Sequence, residues 1–317
     1  MFRFRLMDQA AIADYLYKHY ELGGRASLKI ISDNYYNNNY RVEAGGQSYF
    51  LKIGKILPLA NVVEESSILA SLADLGFPAV PPIKDRDGSF ASCPDFAENL
   101  RLYPFVVGRS VAVGHSQLPH LSEAKAAAEL LSRLHQLTSG QDIWQRTHRT
   151  GLTEIDRALG SAALLRHALR EADDFLSELA QARNDFKSLA GDFSLVHGDW
   201  RSKNLIYQPA GDEIKTVLDF EWSFYGPRWY DLGLMLVEWS YPDGGDGFDQ
   251  EIISGIISAY FKNSGRSGRL DDNLKFWMYY AALCDAATYF LGIAPGQPIK
   301  SLTDSYMYQK ALAVKRL

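Results

Sequence analysis

The chain has 317 residues, enough for two lobes of ordinary domain size each with its own core, and a 47% hydrophobic and 13% aromatic content marks it as folded rather than disordered. Its formal net charge of -5 disfavours non-specific nucleic-acid binding, which relies on Lys and Arg neutralising phosphates. Cys93 and Cys284 lie far apart with no Cys-x-x-Cys or His-rich neighbour, which argues against a disulfide framework or a zinc site and suits a reducing, cytoplasmic setting. Residues 1–8 carry no apolar signal segment and no apolar run reaches the ~18 residues of a spanning helix, so a soluble protein without a membrane partner is expected.

Residues 10–20 predict an amphipathic helix capping a first lobe. Short strands follow at 28–31, 40–43 and 49–53, the last two joined by the hairpin signal Ala44-Gly45-Gly46-Gln47. A helix is expected over 61–75, with Ile68, Leu69, Leu72 and Leu75 on one stripe and Gly76 and Pro78 ending it. Strands should flank the turn at 85–88, and a further strand spans 100–105 before a break at Gly108. The second half reads as helical: one helix N-capped by Ser122 with Ala127, Leu130, Leu131, Leu134 and Leu137 inward, then a stretch over 154–189. Strands at 205–207 and 216–218, turned at 209–212, should bring Asn204 and Asp219 to the same end. Helices resume after Tyr230.

The run Val196-His197-Gly198-Asp199-Trp200-Arg201-Ser202-Lys203-Asn204, followed by Leu218-Asp219-Phe220-Glu221, carries the chemistry. An Asp, a four-residue gap, an Asn and a later Asp can supply a base and two oxygen ligands for Mg²⁺, the parts that phosphoryl transfer requires. Asp199 is the candidate base that accepts or orients the proton of an attacking hydroxyl; the bland alternative is a loop-capping Asp. Asn204 and Asp219 are candidate metal ligands, against an Asx-turn at a strand start. Arg201 is placed to neutralise charge on a transferred phosphoryl group, or else makes an ordinary surface pair. Lys52 ends a strand from which it can reach phosphates, and Glu65 lies on the apolar face of the following helix, where an unpaired charge is costly. Glu65 is therefore its expected partner, ahead of Glu64, which lies off that stripe.

His-Gly-Asp with its Asn, the downstream Leu-Asp-Phe-Glu, Tyr230-Asp231-Leu232 and Arg133-Leu134-His135 together resemble the aminoglycoside phosphotransferase and choline kinase family, which includes a type of homoserine kinase. The resemblance implies an α+β, protein-kinase-like two-lobed fold: a small β-rich N-lobe over 1–105 that binds nucleotide, and a larger helical C-lobe over 106–317. It implies ATP as donor, with GTP open, Mg²⁺, and a small hydroxylated acceptor such as an aminoglycoside, choline, ethanolamine, homoserine or a similar amino alcohol. It assigns phosphate contacts to the loop holding Ser32 and Asn38, which lacks Gly-x-Gly-x-x-Gly but whose Asn residues tolerate left-handed backbone. Adenine contacts fall to the carbonyl of Pro104 and the amide of Val106, and support of the catalytic loop to His197 and Asp231. His135 reads as a packing residue. A protein kinase is the weaker reading, since Gly198 replaces the expected Arg, no Ala-Pro-Glu follows, and little chain separates Asp219 from Tyr230. A catalytically silent binding or regulatory module is the alternative from another class.

Between Arg228 and Lys262 no Lys or Arg occurs, while Asp231, Glu238, Asp243, Asp246, Asp249 and Glu251 interleave with Trp229, Trp239 and Tyr241. Such a segment suits a cationic acceptor, with Glu238 and Asp243 as its candidate contacts. The alternative is a solvated loop with the aromatics in the core.

Overall fold

The computed structural model describes residues 8–33, 37–55, 57–111, 118–146, 148–188, 192–242, 245, 247–263, 268–293 and 297–317. By its internal contacts the chain divides into two compact units, Met1–Val107 with Thr216–Glu221, and Gly108–Lys215 with Trp222–Leu317.

In the first unit, helix α1 (Gln9–His19) starts at Asp8, whose side chain accepts from the Ala10 amide at 2.9 Å. Strands β1 (Ser27–Asp33), β2 (Asn37–Ala44), β3 (Gln47–Gly54) and β4 (Asn99–Pro104) form one sheet in the order β1-β2-β3-β4, antiparallel throughout. The β2–β3 hairpin turns on Gly45 and Gly46, whose φ of 56° and 77° suit residues without a Cβ. Alternation along the strands sends Tyr40, Val42, Leu51, Ile53, Leu100 and Leu102 into a core with Ile12, Leu16 and Tyr20 of α1. The same alternation turns Lys52 and Arg101, opposite each other on β3 and β4, to the other face. Helix α2 (Leu59–Asp74) then buries Glu65 among Val62, Ile68, Leu69 and Leu72.

The expected strands around 85–88 do not form. A turn is present, with the Gly88 amide donating to the Asp85 carbonyl at 3.0 Å, but its flanks are irregular chain tied down by single bonds such as Ile83 N to Leu102 O at 2.6 Å. Pro81, Pro82 and Pro94 remove the amides that a ladder would need.

Residues 216–221 join the first unit through Val217 N and Thr216 Oγ1, which donate to the Pro78 carbonyl at 2.8 and 2.9 Å.

The second unit is mainly helical. Helix α3 (Leu121–Thr138) has its cap at His120, two residues before the expected Ser122, because Glu123 Oε2 accepts from the His120 amide at 2.9 Å and fixes His120 there. The helical stretch expected over 154–189 is built of three helices, α4 (Thr153–Gly160), α5 (Ala162–Ala168) and α6 (Ala172–Ser188). Gly160 ends the first, and between the second and third the backbone pairs with Lys300: Arg170 N donates to Lys300 O at 2.9 Å and Lys300 N to Ala168 O at 2.8 Å. Strand β5 (Arg109–Ser110) pairs with β7 (Leu205–Tyr207), which neighbours β8 (Ile214–Val217), the strand along which the chain passes into residues of the first unit. Strand β6 (Phe193–Val196) pairs with β9 (Phe224–Pro227). Helix α7 (Trp229–Ser240) is buried from Tyr230 onward, so its apolar residues run all round it rather than along a stripe. Helices α8 (Gln250–Phe261), α9 (Asp272–Leu291) and α10 (Tyr306–Val314) complete the unit.

Candidate active site

In the first unit the strand register gathers the charged residues. Lys52 stands opposite Asn39 on β2 and Arg101 on β4. Its Nζ lies 2.9 Å from Asp219 Oδ1 and 2.6 Å from Glu221 Oε1. Burial alone would lower the Lys52 pKa, but the carboxylates of Asp219 and Glu221 outweigh it and hold the ammonium above its usual value. Asp219 has φ 66°, a left-handed conformation that Asp adopts more readily than most residues, just ahead of a 3₁₀ turn at Phe220–Trp222.

The pair expected between Lys52 and Glu65 is replaced by another. Glu65 Oε2 accepts from Arg101 NH1 at 2.5 Å, while Arg101 NH2 donates to Glu221 Oε1 at 3.0 Å. Arg101 is the longer side chain at the same register and takes the helix carboxylate, leaving Lys52 to the two acids of residues 219–221. Ser32 Oγ accepts from Asn39 Nδ2 at 2.9 Å, and Asn38 is buried on β2 with an unpartnered Oδ1. The loop between them falls outside the described residues. Pro104 ends β4 opposite Tyr49 on the exposed side, and Val106 is half-buried in the irregular chain that follows.

In the second unit, Asp199 is 8% exposed and ringed by donors. Asn204 Nδ2 donates to its backbone carbonyl and to Oδ2, both at 2.8 Å; Arg201 Nε lies 2.6 Å from Oδ1 and Lys203 Nζ 3.4 Å from Oδ2. Burial raises the Asp199 pKa, yet the charges of Arg201 and Lys203 and the Asn204 hydrogen bond prevail and lower it from its usual carboxylate value. With its amide nitrogen committed to Asp199, Asn204 presents Oδ1 as its remaining acceptor, a hard oxygen donor of the type that Mg²⁺ takes. Asp219 offers the same donor type on a side chain that is 32% exposed. The chemistry of both residues fits the ion.

The catalytic-loop candidate is held from behind. Asp231 is fully buried, and its carboxylate accepts from the amides of His197 at 2.6 Å and Gly198 at 2.9 Å; its Oδ2 also lies 3.1 Å from His135 Nε2. His135 Nδ1 meets the Tyr260 hydroxyl at 2.8 Å, so His135 is part of this network and not only packing. His197 Nδ1 accepts from the Asp199 amide at 3.2 Å. Gly198 has φ 81°, and a Cβ there would stand 2.1 Å from the Trp222 carbonyl oxygen. Gly198→Ala should therefore lower stability by about 2 to 4 kcal/mol, the left-handed cost plus a backbone overlap. Chemical denaturation of the two proteins checks this, and midpoints that coincide would refute it.

Glu238 departs from the sequence expectation. It is not a carboxylate awaiting an external cation: its Oε1 accepts from Lys310 Nζ at 3.0 Å and its Oε2 lies 3.6 Å from Arg201 NH1. Lys310, from α10, is wholly buried and sits 3.9 Å from the centre of the Tyr306 ring. Arg201 NH2 also pairs with Asp285 of α9, so the guanidinium links Asp199, Glu238 and Asp285 rather than making a simple surface pair. Trp239 and Tyr241 are core residues. Asp243 lies outside the described residues. The sequence reading left Arg101, Glu221, Asp285 and Lys310 without roles. The available signal was a lone charge within an apolar run, as in Leu100-Arg101-Leu102.

The chain is 24% identical over 307 residues to Acyl-CoA dehydrogenase family member 11 of Mus musculus, covering 87% of this chain but only 38% of that protein. It is 26% identical over 312 residues to a homoserine kinase of Methylobacterium nodulans, covering 94% of this chain and 91% of the relative. Among solved structures, an amicoumacin kinase in complex with AMP-PNP, Ca2+ and Ami shares the fold with a TM-score of 0.72 at 16% identity, over 98% of this chain and 94% of that one. Residues 27–266 match the family described as APH, the phosphotransferase enzyme family, and the chain belongs to that family.

Proposed function

We propose that the protein transfers the γ-phosphate of ATP to a hydroxyl group of a small molecule. The observation that carries this reading is the setting of Asp199: a buried carboxylate kept ionised by Arg201 and Lys203, and fixed by an Asn204 whose own oxygen is left for a cation. In this reading Asp199 orients the acceptor hydroxyl and takes up its proton, Lys52 holds the α- and β-phosphates, and Asn204 and Asp219 would hold Mg²⁺. The bound ion supplies charge neutralisation on the phosphates. Arg201 positions Asp199 through its Nε contact, Ser32 and Asn38 flank the phosphates, and the backbone at Pro104 and Val106 receives adenine. The homology to a homoserine kinase and the fold shared with an amicoumacin kinase support a small hydroxylated acceptor. Because Glu238 already has Lys310 and Arg201 as partners, its charge gives no support to a cationic acceptor.

Incubating the purified chain with ATP, Mg²⁺ and a panel of amino alcohols, hydroxy amino acids and aminoglycosides tests the proposal, with product mass as the readout. One acceptor should gain a phosphoryl group in a Mg²⁺-dependent way. Transfer to none, with no nucleotide bound, would reject it. Lys52→Met should weaken Mg·ATP binding by roughly 10- to 100-fold, the loss of charge-assisted contacts to phosphate. Titration calorimetry checks this, and unchanged affinity removes Lys52 from the nucleotide site.

A further inference from the structure

We propose that Lys310 is the positioning residue for Arg201: by holding Glu238 it keeps the Arg201 guanidinium against Asp199. This rests on the reading above of Asp199 as the group that orients the acceptor hydroxyl. Lys310 belongs to α10, far along the chain from the catalytic-loop candidate, and is wholly buried, with the ring centres of Tyr306 and Tyr241 at 3.9 and 6.0 Å from its Nζ. A buried ammonium is costly unless it meets a carboxylate, and Glu238 of α7 supplies one, its Oε1 accepting from Nζ at 3.0 Å.

The guanidinium is shared among three carboxylates. Nε lies 2.6 Å from Asp199 Oδ1, NH1 lies 3.6 Å from Glu238 Oε2, and NH2 pairs with Asp285 of α9. Nε is buried yet makes no aligned hydrogen bond among the described residues, so its contact with Asp199 is held by charge and not by direction. At 3.6 Å the Glu238 contact is longer than a hydrogen bond. Lys310 accounts for that looseness, because Glu238 already has a cation at 3.0 Å. Among the described residues Arg201 and Lys310 are the cations in contact with Glu238, whose side chain is only 11% exposed. Without Lys310 this buried carboxylate would turn to the guanidinium and close the 3.6 Å gap. The guanidinium is planar and rigid, so moving NH1 by something under about 1 Å towards Glu238 carries Nε with it, off Asp199. A displacement of that size beside the reacting groups can cost about 100-fold in rate.

The test measures kcat, and KM for Mg·ATP, in the full chain for the wild type, Lys310→Met, Lys310→Gln and the double variant Lys310→Met/Glu238→Gln, at a temperature where circular dichroism shows the proteins folded. Transfer to the acceptor found with the panel above is followed, or hydrolysis of Mg·ATP by water where the panel yields none. Lys310→Met should lower kcat about 30- to 100-fold while KM for Mg·ATP stays within about threefold of the wild type. The double variant keeps the methionine but removes the charge that draws Arg201 away, and its kcat should return to within about fivefold of the wild type. Lys310→Gln, which retains a donor for Glu238 without the charge, should lose about tenfold. If Lys310→Met does not fold, Lys310→Gln takes its place in the comparison with the double variant. The proposal is overturned if the folded single variants turn over within about threefold of the wild type whatever their melting temperatures, or if KM rises in step with the fall in kcat. It is overturned equally if the double variant is as slow as the single ones or fails to fold, or if neither single variant folds. A wild type that neither transfers nor hydrolyses overturns the functional reading and this inference together, whereas an active wild type beside an unimpaired Lys310→Met overturns the inference alone.

Discussion

Asp199→Asn should lower kcat by about 100-fold or more while leaving Mg·ATP affinity within about threefold of the wild type. The expected split follows from what surrounds the carboxylate. Arg201 and Lys203 keep it ionised and Asn204 holds one oxygen, so the proposed proton acceptor lies on the candidate catalytic loop while Lys52 is carried by the first unit. Replacing one oxygen by an amide nitrogen removes the basic group and sets a donor among donors, yet alters neither the size of the side chain nor the lysine. Single-turnover rates with the identified acceptor, together with nucleotide titrations, separate the two effects. Turnover within tenfold of the wild type would remove Asp199 from the chemistry, and a parallel loss of nucleotide affinity would reassign it to binding.

The largest effect on stability is expected from Asp231→Ala, about 3 to 5 kcal/mol. Its carboxylate takes the amides of buried His197 and part-buried Gly198 and faces buried His135, so truncation leaves two N–H groups, that of His197 fully buried, with no acceptor from this side chain. Asp231→Asn is only a partial remedy. Its single amide oxygen can receive one of the two donors, while its nitrogen confronts the other. The alanine variant should melt roughly 10 °C below the wild type, with the asparagine variant between them. Circular dichroism melts check the order; an alanine variant melting within 2 °C of the wild type would show that the network contributes little.

Much of the first unit was legible because its signals are local. Period-two alternation and Gly45-Gly46 placed β2 and β3 to within a few residues, and Gly76 marked the end of α2. Where long-range pairing decides, the sequence was silent. Nothing near residue 169 announces that the backbone there will bond to Lys300, and nothing in α7 announces that Glu238 will be met by Lys310 from α10. The catalytic-loop candidates could be picked out because phosphoryl transfer constrains residue type and spacing together. The partner of Lys52 could not, because it depends on which side chain shares its register across β3 and β4, and Arg101 looked there like an isolated charge in an apolar strand.

That residues 216–221 belong with the first 107 has a consequence for how the protein is made. Synthesis proceeds from the N-terminus, and a nascent chain that has just passed Val107 already contains Lys52 and Arg101 but neither Asp219 nor Glu221. Of the three acids paired with these two cations among the described residues, Glu65 alone has then been made, and burying an unmatched cation is strongly unfavourable. The amino-terminal unit is therefore not a folding domain in the vectorial sense. Its sheet can form early, but its charged face must stay open to water until the ribosome has released a segment more than a hundred residues downstream, and a fragment cut at the apparent boundary would carry that unfinished face permanently.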